Sequence, residues 1–248
     1  MAATPPPATA PDLHRISTVV VGRDKELDQL DTILNDVQAG QRRSVFVSGG
    51  IGSGKSTLVA EFLERQDKLD SYLVARSRCI QTRGGVEPYF CLFDALGQLA
   101  VAEPDLVFDT LDRVAPSWLA QMPAFIDISV SERLERRLLG SSAPRMLREG
   151  ADAFEALSRH HPLLLLLEDL QWADDLTLDV IDLLVHRVDP APLLLLISAR
   201  SDHAPLRTVS APAVAAGRAI QIELGPLIAR PSVPSSPIAS SGPRCPMS

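Results

Sequence analysis

The stretch Gly49-Gly50-Ile51-Gly52-Ser53-Gly54-Lys55-Ser56-Thr57 follows directly on the apolar run Ser44-Val45-Phe46-Val47-Ser48. A β-branched and aromatic strand therefore feeds a G-x-x-x-x-G-K-[ST] pattern, with Gly49, Gly54, Lys55 and Ser56 at its fixed positions. Such a loop suits a phosphate. Its glycines let the main chain curl until N–H groups face the anion, and the lysine adds a full positive charge. The hydroxyl of Ser56 is a candidate Mg²⁺ ligand, and the helix begun by Thr57, Leu58 and Val59 turns its positive end toward the loop. A glycine-rich surface turn is the bland alternative, and it explains neither the strand before the loop nor the apolar helix after it.

Outward from the loop, apolar runs alternate with helical patterns. Leu27, Leu30, Ile33, Leu34 and Val37 recur at helical spacing, and Gly40 marks the stop. Strands are predicted near 72–75, at 163–167, 193–197 and 219–224, with helices over 86–99, 105–114, 131–139 and 145–160. Another follows Asp175, which is read as its cap. Runs as apolar as 163–167 and 193–197 belong in a parallel sheet covered on both faces. At five residues each they are far too short to cross a membrane.

The run 163–167 ends in Glu168-Asp169-Leu170-Gln171-Trp172-Ala173-Asp174-Asp175. Adjacent carboxylates at the end of a buried strand are costly without a cation, and Mg²⁺-assisted phosphoryl chemistry needs them there. In a parallel sheet they open onto the crevice that also holds the phosphate loop. Which of Glu168 and Asp169 faces the ion stays open, because consecutive strand residues point opposite ways. Asp175 reads better as a helix cap than as a ligand, and Trp172 as a packing anchor.

Composition sets the outer limits. The 248 residues carry 46% hydrophobic side chains, enough for one domain with a sizeable core. A net charge of −7 argues against direct nucleic-acid binding. Cys79, Cys91 and Cys245 lack metal-ligand spacing, and residues 1–7 lack the features of a signal peptide, which together lead to the expectation of a reduced, cytoplasmic chain without a membrane partner. Residues 1–17 and the Pro/Ser-rich stretch 229–248 are predicted to be disordered, leaving a core of 18–228.

Four segments together resemble AAA/STAND-type ATPase modules: residues 19–30 (VVVGRDKELDQL), 47–59 (VSGGIGSGKSTLV), 163–175 (LLLLLEDLQWADD) and 193–200 (LLLLISAR). They are similar to the origin-recognition-like AAA domains at the front of large LuxR-type transcriptional regulators and some adenylate cyclases. The resemblance implies an α/β P-loop NTPase fold, a three-layer sandwich with a mostly parallel sheet and a helical insertion before the Walker B strand. It implies ATP and Mg²⁺ as cofactors. Val21, Gly22 and Arg23 would lie beside the adenine and phosphates, and the Walker A residues Gly49, Gly50, Ile51, Gly52, Ser53, Gly54, Lys55, Ser56 and Thr57 would wrap the phosphates. Ser56, Glu168 and Asp169 would serve the metal, and Glu168, Asp169 and Arg200 the chemistry, with Arg200 sensing the γ-phosphate.

The chain departs from that pattern in two ways. Glu-Asp stands where the family often has two aspartates, and the helical lid with its second sensor has no counterpart, as in a module truncated after its core. The expectation is an ATP-binding, slowly hydrolysing regulatory switch, acting on ATP and ADP, with a protein partner or a second copy of itself. A non-catalytic scaffold with weak nucleotide binding is one alternative. A small-molecule kinase using Arg133, Arg136 and Arg137 is another.

Overall fold

Five strands form one sheet, all neighbours parallel, in the spatial order β2-β3-β4-β1-β5: β1 (Arg43–Gly49), β2 (Leu73–Arg78), β3 (Leu163–Glu168), β4 (Leu193–Ala199) and β5 (Ile220–Leu224). The structure is a computed structural model that describes residues 22–66, 71–81, 87–123 and 143–226. Every residue of β3 and β4 is buried, as their uninterrupted leucine runs require of strands covered on both sides.

Helices cover both faces. Helices α1 (Asp24–Gln38) and α2 (Lys55–Glu64) close one side, where Leu27, Leu30, Phe62 and Leu58 meet Val45, Val47, Leu164, Leu166 and Leu194. The other side takes α3 (Phe90–Ala102), α4 (Pro104–Val114), α5 (Pro116–Leu119), α6 (Ala143–Ser158), α7 (Asp175–His186) and α8 (Ala204–Ala215), packed on Phe46, Leu163, Leu165, Leu195 and Ile197. Each leucine so enclosed contributes about 1.5–3 kcal/mol relative to exposure. Helices α3 to α6 all lie between β2 and β3 in the chain and constitute the helical insertion. Trp118 anchors it, ringed by Tyr89, Phe93 and Phe154 at centroid distances of 5.2, 4.6 and 6.5 Å.

Several elements differ from expectation. Strand β2 continues past Ala75 to Arg78, because Leu73, Ala75 and Ser77 point into the core while Val74, Arg76 and Arg78 take the opposite face. Helix α3 starts at Phe90, after a left-handed turn at Tyr89 with φ 61°. Asp174, not Asp175, caps α7: its Oδ1 accepts from the Thr177 N–H at 3.0 Å, and Asp175 is already the first helical residue. Helix α8 has no counterpart in the sequence reading. Pro205 and Pro212 disguise it, although Pro205 sits in the first turn, where its missing N–H is harmless. The expectations for 131–139, the tails 1–17 and 229–248, and Arg133, Arg136 and Arg137 lie outside the described residues.

Because all five strands run the same way, the segments that follow them emerge on one edge of the sheet. That edge holds residues 50–54, Cys79, Asp169, Arg200 and Gly225. No helix among the described residues is long and apolar enough to cross a membrane.

Candidate nucleotide site

The loop begins where β1 runs out. Gly49 closes the strand with no room for a side chain: a Cβ there would stand 2.5 Å from Ser53 Oγ and 2.9 Å from the Leu224 carbonyl. Gly50, Ile51 and Gly52 arch into solvent, with Ile51 84% exposed. Gly54 turns the chain into α2 through φ 87°, a left-handed conformation that would strain any other residue. Helix α2 carries no acidic side chain in its first turn and no side-chain cap, so among the described residues its leading N–H groups have no partner. Ser53 Oγ, buried beneath the arch, also finds no hydrogen-bond partner among the described residues. A curled loop with unspent donors matches an anionic ligand such as a phosphate chain.

Lys55 is folded back into this arch, its Nζ donating to the carbonyls of Gly49 and Gly50 at 3.0 Å each. Burial lowers its pKa from the usual lysine value. Asp169 opposes that change and Arg200 adds to it, so all three groups share one electrostatic neighbourhood. Ser56 and Thr57, both half-buried, continue the first turn of α2.

Glu168 is the last residue of β3 and is almost wholly buried. It faces the α2 side of the sheet in register with Arg78 of β2. Its Oε1 accepts from Arg76 Nε at 2.5 Å, and its Oε2 lies 3.4 Å from Arg78 Nη2. Burial alone would raise its pKa. Hydrogen bonds from Arg76 and Ser56, with the charges of Arg76 and Arg78, outweigh burial and hold the carboxyl below the usual range.

Asp169 departs from the geometry of the strand before it. It adopts the left-handed region at φ 56°, a conformation aspartate tolerates better than most residues. The turn breaks the strand alternation and swings its carboxylate back toward the cleft, where Oδ2 lies 3.4 Å from Arg78 Nε. Both neighbouring acids therefore reach one guanidinium. Gln171 holds this geometry from the far side: its Nε2 donates to Asp169 Oδ1 at 3.2 Å, and its Oε1 accepts the Arg200 N–H at 3.2 Å.

Arg200 leaves the end of β4 and is engaged by Asp202 through two bonds of 3.0 and 2.7 Å. Beside it, α8 and the ends of β1 and β5 line an open cleft of about 490 Å³ that includes Ser48, His203, Arg207 and Glu223. Gly22, with φ 90°, precedes Arg23, whose Nη2 donates to the carbonyls of Ser53, at 3.1 Å, and Gly225. Arg23 Nη1 also bonds Glu26 at 3.0 Å, so a surface partner and a loop contact coexist. Val21 lies outside the described residues. The half-buried Trp172 packs against the core behind Asp169, and Cys79 and Cys91 are buried free thiols.

A parallel α/β sheet carrying this loop defines the P-loop NTPase class. Within it, the chain belongs to the AAA ATPase domain family, whose model matches residues 19–197. Families of this kind use nucleotide, typically with Mg²⁺. An uncharacterised protein of Rhizobium meliloti is 26% identical over 207 residues, which is 77% of this chain and 19% of that protein. The crystal structure of Cdc6p from Pyrobaculum aerophilum is similar in fold, with a TM-score of 0.50 at 15% identity, over 84% of this chain and 46% of that one. The chain thus spans about a fifth of the length of its curated relative and under half of that structure.

Sequence reasoning missed Arg76, Arg78 and Gln171. The alternation Leu-Val-Ala-Arg-Ser-Arg over 73–78 was the available signal, since it extends the strand and puts both arginines on the face opposite Ala75.

Proposed function

We propose that the chain is an ATP-binding regulatory switch that hydrolyses ATP slowly. The observation that carries this reading is the convergence of Ser56 with Glu168 and Asp169 on the single side chain of Arg78, next to Lys55 and the unspent donors of α2. In this reading Lys55 exchanges its two carbonyl partners for β- and γ-phosphate oxygens. Gly49 to Thr57 supply main-chain N–H groups, and Val21, Gly22 and Arg23 lie beside the adenine and phosphates.

The donors Ser56, Glu168 and Asp169 are hard oxygens that fit Mg²⁺. Among the described residues no group of three or more His, Cys, Asp or Glu side chains is placed to hold a metal, so phosphate and water oxygens would complete the shell. When bound, the ion would neutralise charge on the transferring phosphoryl group. Glu168, beside Ser56, takes the metal side. Asp169, less buried and steadied by Gln171, orients the attacking water. Arg200 releases Asp202 to read the γ-phosphate, so the state of the nucleotide is reported at the ends of β3 and β4. A partner protein or a second copy reads that report. The net charge of −7 disfavours nucleic acid as the partner of this chain.

A second reading, a binder that does not turn over, draws on the arginines that already occupy Glu168. Thermal unfolding with and without MgATP tests the first step of both. Ligand at a hundred times its dissociation constant should stabilise the chain by about 2.7 kcal/mol, and Lys55→Ala should remove the shift. Absence of any shift in the unaltered protein would overturn the proposal. Phosphate release separates the switch from the silent binder.

A further inference from the structure

The charges of Glu168 and Asp169, near Ser56, are compensated by arginine side chains of the chain itself. One guanidinium touches all three. Arg78 Nη2 lies 3.5 Å from Ser56 Oγ and 3.4 Å from Glu168 Oε2, and its Nε lies 3.4 Å from Asp169 Oδ2. These are the hard oxygens named above as fitting a divalent ion. The side chain of Arg76, its neighbour on the same face, bonds Glu168.

The two arginines are held differently. The Arg76 contact is short at 2.5 Å, whereas the contacts of Arg78 are long and its side chain is 53% exposed at the end of β2. Arg78 is placed to leave.

We propose that Arg78 is the resident cation of the nucleotide-free site, filling the divalent-ion position and swinging into solvent when the metal–nucleotide complex loads. The inference rests on the nucleotide-site reading above. A guanidinium does not deprotonate in the physiological range, so the two acids are compensated at every stage of the cycle. The metal must therefore compete with a tethered cation, and its apparent affinity falls by the fraction of molecules in which Arg78 is seated. The chain would thus answer to the metal–nucleotide complex rather than to free divalent ion.

The test titrates Mn²⁺ into the full chain with excess ADP, following free Mn²⁺ by electron paramagnetic resonance. Arg78→Gln should lower the Mn²⁺ midpoint roughly fivefold, the scale of a few loosely held, half-exposed charge contacts. Arg78→Lys, which keeps the charge without the planar fork, should fall between. Arg65→Gln removes the same charge at the far end of α2, about 15 Å of helix away, and should change nothing. An unchanged or raised midpoint in Arg78→Gln, or an equal shift in Arg65→Gln, would refute the resident cation. If the unaltered chain binds neither ADP nor Mn²⁺ in ADP, the nucleotide-site reading falls and this inference with it. Binding without an Arg78 effect sinks only the inference.

Discussion

Two buried glutamates stand at opposite ends of the sheet, each gripped by arginines, and they are built for different ends. At the edge where the strands begin, Glu155 of α6 is saturated. Arg159 bonds its Oε1 at 2.6 Å, and Arg42 and Arg187 bond its Oε2 at 2.7 and 2.9 Å. The Arg42 side chain is enclosed and also reaches the Leu184 carbonyl, while Arg187 holds Asp152 as well. The cluster stitches α6, the C-terminal end of α7 and the start of β1 together. At the edge where the strands end, the arginines of Glu168 are half-exposed, and one of them makes only long contacts. The same ionic chemistry is a rivet where its partners are enclosed, and a latch where one partner can withdraw.

That contrast can be broken at either end. The largest effect is expected for Glu155→Ala, which leaves the enclosed Arg42 side chain without its anion and Arg187 with Asp152 alone. Breaking such a pair costs about 3–5 kcal/mol, measurable by urea unfolding, while nucleotide affinity of the folded molecules should stay as it was. A loss of affinity with unchanged stability would reverse the assignment of the two glutamates. Glu168→Gln should cost less, about 1–3 kcal/mol, since the amide keeps an acceptor for Arg76. Its larger consequence should be a weakened Mg²⁺ dependence of nucleotide binding, seen by calorimetry at several Mg²⁺ concentrations.

The smallest effect is in pH. Burial works to raise the pKa of Glu155, but hydrogen bonds from Arg187 and Arg42, with their charges, outweigh it and hold the carboxyl below its ordinary value. Glu168 is shifted the same way. A carboxyl depressed in the folded state contributes stability that is complete above its unfolded pKa and is lost as pH falls through the folded one. Acid unfolding should therefore steepen below the ordinary glutamate range, near pH 4. Glu155→Gln should flatten that acid limb. An identical slope in the variant would show that other groups govern it.

The sheet was legible because 163–167 and 193–197 are apolar without interruption, which only strands buried on both faces require. The loop was legible because its glycines and lysine stand at fixed spacing. What escaped depends on chemistry that crosses between strands. Nothing local to Arg76 or Arg78 announces Glu168, which lies about ninety positions away and meets them only once β2 and β3 pair. The two bonds of Gln171 exist only because Asp169 turns left-handed and β4 delivers the Arg200 N–H beside it. The cap of α7 was misplaced by one position, since two consecutive aspartates offer the same oxygen and only the backbone at Asp174 is extended.

Arg23 joins three distant stretches through a single side chain: the start of α1, the Ser53 carbonyl in the arch, and the Gly225 carbonyl just past β5. A pull on the backbone leaving the sheet is thereby transmitted to the curve that would receive the triphosphate. On the reading proposed above, whatever repositions Gly225 would also retune the grip, and tightening the grip would pull back on Gly225.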